Sequence, residues 1–327
     1  MLFFNRREFI YTSMVGMAGI SAGVPIMAGE KTDKAIVSLV RTGDRRNGVI
    51  EAVRMLDIPS MKGKKVFIKP NFNTADPAPG STHNDILSSL VGEIKERDAL
   101  SITVGDRCGP GDTQKVMEAK GIFDMGKELG FNVINFDKMD DRDWVLVNPP
   151  DSHWDGGYYM ARPLVESEYT VTTGCIKTHG FGGHYTMSMK LSVGAVHRKH
   201  MFPQMHNSPD MRKMIAEINL GYSPKLIVLD GVEVFTDGGP MDGERKGANV
   251  VIAGTDRVAI DAVGLAILKE QGANSTIMGK KIFEQDQMKR AVEIGLGVSG
   301  PDEIGIVTSD PESRAYADKL AGILLKS

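Results

Sequence analysis

The feature that most constrains the fold is a repeated alternation of short apolar runs with amphipathic helical segments. Apolar, β-branched runs at residues 35–40, 65–69 and 102–105 are each followed by a segment with helical spacing of its apolar residues. Strands separated by helices of this length are typical of βαβ units. The sequence therefore predicts an α/β fold, with mostly parallel sheets built from βαβ units and helices on both faces.

The rest of the chain follows the same alternation, with one interruption. Prolines and glycines are concentrated between residues 144 and 159, so we expect an insertion or a meander there, and a subdomain boundary near residues 137–160 stays open. A glycine-rich stretch at residues 230–243 is expected to be a surface loop. The further predicted strands are residues 131–136, 169–173, 225–230 and 250–253, and the predicted helices are residues 48–56, 83–97, 121–130, 186–196, 211–220 and 258–270.

The N-terminus carries a different pattern. Arg6 and Arg7 stand just before a weakly apolar stretch that has no charge until Glu30, and this arrangement resembles a twin-arginine signal. We expect a signal segment at residues 1–29 and an α/β domain at residues 30–327. The expected location is the periplasm or another extracytoplasmic space, reached through the twin-arginine translocase, and the mature protein is expected to be soluble. A permanent N-terminal anchor is the alternative.

Composition excludes several classes of partner and site. The net charge is −3 and no basic block is interleaved with aromatic residues, so nucleic acid is not an expected partner. Cys108 and Cys175 are the two cysteines of the chain, too few for an iron–sulfur cluster. They either form one disulfide or stay as two separate buried thiols.

Five of the seven histidines fall within residues 179–206, and this clustering is the strongest functional signal. Histidine can ligate a metal or transfer a proton near neutral pH, and a desolvated lysine can act as a base or a covalent anchor. We expect Lys190, His179 and His206 to be catalytic. The predicted metal ligands are His179, His200 and His206, while His184 and His197 are each expected to be structural.

Further candidate binding residues follow predicted strands. Lys69 and Asn71 come directly after one strand and Lys177 after another, and open α/β sheets bind ligands at the carboxyl ends of their strands. We expect these three side chains to hold an anion. The glycine-rich stretch contributes Asp230, Gly238 and Gly239, which could bind a cation or a phosphate.

Six short motifs follow one another along the chain: Lys69-Pro70-Asn71, Lys177-Thr178-His179, Met189-Lys190, Asp230-Gly231, Gly239-Pro240 and Asp256-Arg257-Val258-Ala259-Ile260-Asp261. Taken together, these motifs resemble the family called domain of unknown function 362, over most of the chain after the signal. The chain lacks the ferredoxin-like cysteine motif of many members and has Leu191 where asparagine commonly follows the lysine. The resemblance implies the α/β fold and leaves the reaction open.

A more distant resemblance is to nickel-dependent lactate racemases, which carry a histidine, then a lysine that anchors a pincer nucleotide, then a nickel-ligating histidine. His179, Lys190 and His206 occur in the same order with similar separations. The resemblance implies nickel or an organometallic nucleotide as cofactor, while the methionines of the window also suit copper.

Three functional hypotheses follow from these residues. The first is an exported oxidoreductase or isomerase that depends on a metal or cofactor and acts on a small anionic substrate. The second is a non-catalytic protein that binds copper or nickel through its His/Met window. The third is a module that binds an anionic ligand without turnover.

Overall fold

The apolar runs form one nine-stranded mixed sheet and a separate two-stranded sheet in the computed structural model, which describes residues 34–326. All of these elements belong to the unit Asp33–Ser327. The strands are β1 (Ala35–Arg41), β2 (Lys65–Lys69), β3 (Ser101–Asp106), β4 (Asn132–Asn135), β5 (Trp144–Val147), β6 (Tyr158–Ala161), β7 (Tyr169–His179), β8 (His184–Thr186), β9 (Pro224–Gly238), β10 (Gly243–Gly254) and β11 (Ile304–Val307).

Helices connect most of these strands, and local capping residues fix where several of them begin. Asp44 and Asp256 accept backbone N–H bonds at the starts of the helices Arg45–Arg54 and Arg257–Glu270. The helix Ile122–Leu129 lies between Gly121 and Gly130, which are both in the left-handed conformation. The helices are α1 (Arg45–Arg54), α2 (Asn84–Glu96), α3 (Thr113–Ala119), α4 (Ile122–Leu129), α5 (Arg162–Val165), α6 (Arg198–His200), α7 (Met211–Ile218), α8 (Arg257–Glu270), α9 (Ser275–Met278), α10 (Asp286–Glu293) and α11 (Pro311–Lys326).

The large sheet has the order β11-β1-β10-β9-β7-β2-β3-β4, with β8 paired to β7. Strands β9, β7, β2, β3 and β4 are parallel to one another, and β1 is parallel to β11. Strand β10 is antiparallel to both of its neighbours, because it returns from β9 as a hairpin. The predicted mostly parallel α/β fold is confirmed.

Two apolar cores lie on the two faces of this sheet. One face packs on the almost entirely buried helix α8, and the other packs on α1 and α2. Helices therefore cover both faces, as the alternating sequence predicts. A third apolar cluster joins the two-stranded sheet to the segment around α6 and α7, and it contains the buried side chains of Met201 and Met205.

Two predicted elements differ from the structure. Residues 186–196 were expected to form an α-helix but contain the end of β8 and a short 3-10 helix, Lys190–Ala195. The stretch at residues 230–243 was expected to be a loop but is mostly strand, since β9 runs on to Gly238 before the hairpin turns into β10. In the second stretch, pairing of β9 with β10 overrides the local sequence pattern.

The predicted signal at residues 1–29 lies outside the described residues. Within the described part of the chain, no helix combines the length and apolar character that a bilayer span needs.

Candidate functional site

A small crevice opens at the carboxyl edge of the sheet, beside β2 and β7. The chain runs from β2 to β3 and β4 on one side and then returns to β7 on the other side of β2. The strand order reverses at this point, and open α/β sheets bind ligands at such a reversal. Counted together with the open solvent at its mouth, the crevice has a volume of about 380 Å³. Its lining residues are Asn71, Asn73, Arg107, Cys108, Gly109, His179, Thr186, Lys190, Leu191, Val193, Gly194, Met201 and Pro240.

Lys190 lines this crevice at the start of the short 3-10 helix. The buried carboxylate of Asp261 accepts the backbone N–H groups of Ser188 and Met189, at 2.8 and 3.1 Å, and so fixes the approach to Lys190. The Lys190 side chain is only 7% exposed, and within residues 34–326 its amine has no hydrogen-bond or ion-pair partner. Burial, with a smaller contribution from the charge of Lys177, lowers the pKa of Lys190 to about 7.

His179 ends β7 and shares the crevice with Lys190. Its Nδ1 atom is buried without a hydrogen-bond partner among the described residues. Burial is the main cause that lowers its pKa well below the ordinary value, so the imidazole is neutral near pH 7. A Cβ added at Gly183 would stand 2.4 Å from Lys190 Cε and 3.0 Å from His179 Nδ1, so the two side chains reach the same small volume.

Arg107 is a site residue that was not predicted from the sequence. Its guanidinium donates to the carbonyls of Cys108, Val193 and Val196, and this fixes the crevice wall. No carboxylate of the described chain lies within ion-pair distance of it, and burial lowers its pKa to about 10. Arg107 directly follows the end of β3, so the rule that identified Lys69 after β2 would also have found it.

Lys69 has a different environment, although it is equally buried. Its amine forms a 2.6 Å ion pair with Asp106 and donates to the carbonyls of Pro70 and Leu191. Asp106 also accepts the backbone N–H groups of Phe72 and Arg107, at 2.6 and 2.7 Å. All three protons of the Lys69 ammonium are thus used inside the protein. Its predicted contact with an anion stays a prediction.

Lys177 and Asn71 also lie near the crevice. Asn71 lines it directly, whereas the fully buried amine of Lys177 donates to the carbonyls of Gly80 and Pro240. Burial lowers the pKa of Lys177 to about 8. Lys177 does not line the crevice itself. It lies behind Pro240, which is part of the crevice wall, and adds positive charge there.

The crevice lining does not include the predicted cofactor residues Asp230, Gly238 and Gly239, which lie in β9 or directly after it. Asp230 is buried in an ion pair with Arg45, with Oδ2 2.7 Å from Nε. Gly238 and Gly239 have positive φ angles, and a Cβ at Gly239 would stand only 2.3 Å from the carbonyl oxygen of Thr178. Close approach of the hairpin to β7 thus accounts for Gly239. Their cofactor-binding role stays a prediction.

The three histidines predicted to bind a metal do not all lie in the same surroundings. His206 interacts electrostatically with His179 and Lys190, but His200 stacks on Tyr159 with ring centroids 5.4 Å apart. Among the described residues, no group of three or more His, Cys, Asp or Glu could hold a metal ion. Metal binding by His179, His200 and His206 remains a prediction.

The crevice is electropositive and holds unpaired polar atoms. Among residues 34–326, no Asp or Glu contributes to its lining, whereas Arg107 and Lys190 both do. Asn73 Nδ2 and Thr186 Oγ1 line it as buried polar atoms without a hydrogen-bond partner, as His179 Nδ1 does. Buried polar atoms are nearly always hydrogen-bonded, so this concentration of unpaired groups indicates a place for a ligand or ordered water.

Comparisons with known proteins give a family and one distant structure. The sequence model of the family described as "Domain of unknown function (DUF362)" matches residues 66–266. No curated protein matches the chain. Among solved structures, the lactate racemase apoprotein from Thermoanaerobacterium thermosaccharolyticum aligns with a TM-score of 0.42 and 13% identity, covering 92% of this chain and 88% of that one. A likeness this distant carries no conclusion about reaction or cofactor.

Proposed function

The chain belongs to the domain of unknown function 362 family, and from its crevice we propose that it is an enzyme acting on a small carboxylate or similar anion. The family description assigns no reaction, so the proposal rests on the residues themselves. One observation carries it: two buried cations, Arg107 and Lys190, line a crevice to which the described chain contributes no carboxylate.

The charge balance of the crevice favours an anionic ligand. A buried cation without a counter-ion is costly, and a bound anion would offset that cost for Lys190 and Arg107 together. Asp106 does not fill this role, because its carboxylate is already paired with Lys69. A carboxylate or similar anion is therefore the preferred ligand.

Two further features favour turnover over simple binding. A lysine with a pKa of about 7 is partly neutral at physiological pH, and its amine can then accept a proton or attack an electrophile. The neutral imidazole of His179 offers a second proton-transfer group beside it. A strongly perturbed lysine in a cleft is typical of an active site, and a reaction of the isomerase class needs such a pair.

The first experiment measures binding of small anions by calorimetry, with lactate, pyruvate, acetate and phosphate compared at fixed ionic strength. Loss of a charge-assisted contact is worth about 1.5–3 kcal/mol, so Lys190→Met should weaken binding by about tenfold to hundredfold. Lys115→Met removes the same charge from an exposed position on α3 and should leave binding unchanged. Equal affinity in the wild-type and Lys190→Met proteins would contradict the proposal.

The second experiment separates an enzyme from a binding module. A ligand that binds is incubated with the protein in deuterated water, and exchange of the hydrogens on its carbon beside the carboxylate or beside the carbonyl group is followed by NMR. We expect exchange with the wild-type protein and none with Lys190→Met. Binding without exchange or any other conversion of the bound acid would instead favour the module.

We also propose that the protein is exported through the twin-arginine translocase. The support is the sequence pattern of Arg6 and Arg7 before an uncharged stretch. Replacing both with lysine should retain the protein in the cytoplasm, as judged by fractionation of the producing cells. Unchanged export of that variant would remove this proposal.

A further inference from the structure

We infer that Lys190 is a covalent amine, and that the substrate class is a small 2-oxo acid whose carbonyl carbon forms an imine with Lys190 Nζ. This inference rests on the proposed anion site and adds to it the identity of the reacting atom. It requires an amine that is accessible, unpaired and placed beside groups able to hold a carboxylate and move a proton.

Only one of the three buried lysines around the crevice meets the first requirement. The amine of Lys69 is used by Asp106 and two carbonyls, and the amine of Lys177 is held by two carbonyls. Lys190 lines the crevice, and no described residue accepts a hydrogen bond from its amine. Imine formation removes N–H groups that an ammonium group would donate to hydrogen-bond partners. An amine that has no such partners therefore loses no hydrogen bond when it forms an imine.

The surrounding groups suit a carbonyl next to a carboxylate. Arg107 provides positive charge in the wall, and the unpaired Asn73 Nδ2 is a hydrogen-bond donor for a carboxylate oxygen. The unpaired hydroxyl of Thr186 can bond the carbonyl oxygen. A 2-oxo acid carries a carboxylate and a carbonyl on adjacent carbons, and so presents one group to each of these sets of side chains.

The covalent step balances without any oxidant or reductant. The lone pair of neutral Lys190 Nζ forms the C–N bond while the carbonyl π electrons move to oxygen. One amine proton passes to that oxygen, and the neutral imidazole of His179 is placed to accept and return it. The resulting hydroxyl takes a further proton from solvent and leaves as water, so amine, carbonyl and one proton give the protonated imine and water.

The geometry beside Lys190 also supports this chemistry. Gly183 has no side chain at the point where a Cβ would meet both Lys190 Cε and His179 Nδ1, so space is kept between the two groups.

The test traps the imine by reduction. The full-length protein is incubated with pyruvate and sodium cyanoborohydride, and labelled lysines are located by peptide mass spectrometry. We expect the reduced adduct on Lys190 in preference to exposed lysines such as Lys115, and none on Lys69 or Lys177. Propionate, which has the carboxylate but no carbonyl, should compete and slow the labelling.

Two variants complete the experiment. Lys190→Arg keeps the positive charge but cannot form an imine, so it should still bind pyruvate while labelling falls to background. Lys190→Met should lose both binding and labelling, and it serves as the second variant if arginine does not fit the crevice. Circular dichroism confirms that each variant is folded.

The outcomes distinguish this inference from the proposed function. If calorimetry shows that pyruvate binds but Lys190 carries no adduct, the covalent role is overturned and the anion site stands. If neither pyruvate nor propionate binds, both are overturned. Labelling confined to exposed lysines also overturns the covalent role.

Discussion

Lys69 and Lys190 are both buried at the same end of the sheet, yet their surroundings differ in one respect. Lys69 has an ion-pair partner at 2.6 Å and two carbonyl acceptors, whereas Lys190 has no such partner in the described chain. Burial is the largest cause that lowers the pKa of each lysine. Burial is therefore common to both lysines. What distinguishes Lys190 from Lys69 is that its amine has no hydrogen-bond or ion-pair partner in the described chain.

The two lysines also differ in what they contribute to the stability of the fold. The Lys69–Asp106 pair holds together the ends of β2 and β3, because Asp106 also binds the backbone of Phe72 and Arg107. Lys190 contributes no such bond and destabilises the fold when it is charged. A residue kept at a cost in stability is typical of a functional site.

The largest expected effect follows from removing Lys190 and is pH-dependent. Its folded-state pKa of about 7 lies below the ordinary value of 10.5, so between these values the unfolded chain binds more protons and stability rises with pH. The charging cost is fully present below pH 7 and amounts to about 5 kcal/mol, at about 1.4 kcal/mol per pKa unit. In ligand-free buffer, Lys190→Met should therefore be more stable than wild type by up to that amount at pH 6.

This stability difference should shrink as the pH rises and be nearly absent by pH 10.5. Urea unfolding at a series of pH values measures it, and Lys115→Met provides a control that should show no such trend. A difference between Lys190→Met and wild type that stays constant with pH would mean that folding does not lower the pKa of Lys190.

The next effect has the opposite sign. Lys69→Met leaves the Asp106 carboxylate buried without its cation, and breaking a buried pair from one side typically costs about 3–5 kcal/mol. The double variant Lys69→Met/Asp106→Asn should recover part of this loss, because an amide oxygen still accepts one backbone N–H bond. Urea unfolding at pH 7 measures both, and a loss below about 1 kcal/mol for Lys69→Met would contradict the structural role.

The smallest effect on stability comes from Gly183, with the larger change expected in binding. In Gly183→Ala the new methyl group would stand 2.4 Å from Lys190 Cε, so the lysine stem must move. Overpacking of this kind costs about 1–3 kcal/mol, at the low end where a flexible chain can yield. We expect about 1 kcal/mol of destabilisation and a clear loss of pyruvate labelling at Lys190.

The matched control for that variant is Gly92→Ala in helix α2. A Cβ at Gly92 meets no atom within 4 Å, and alanine in a helix is more stable than glycine by about 0.5–1 kcal/mol. This variant should label at Lys190 as the wild type does. Equal labelling of the Gly183→Ala and Gly92→Ala proteins would show that Lys190 does not need the space beside His179.

The positions of most strands could be predicted because each is a short apolar run bounded by polar or turn-forming residues. Strand β2, for example, has the predicted bounds. The end of β7 could not be placed, because Lys177 and His179 are polar and belong to the strand through pairing with residues distant in the chain.

The sequence by itself determined the α/β alternation and the end of β2 at which Lys69 stands, because hydrophobic periodicity and turn chemistry are local properties. Its clustered histidines and lysines also pointed to Lys190 and His179, which both line the crevice. Only the tertiary structure decided which lysine has partners, because Asp106 and the carbonyl of Leu191 reach Lys69 from distant positions in the chain. Reactivity depends on these long-range contacts, and no local pattern encodes them.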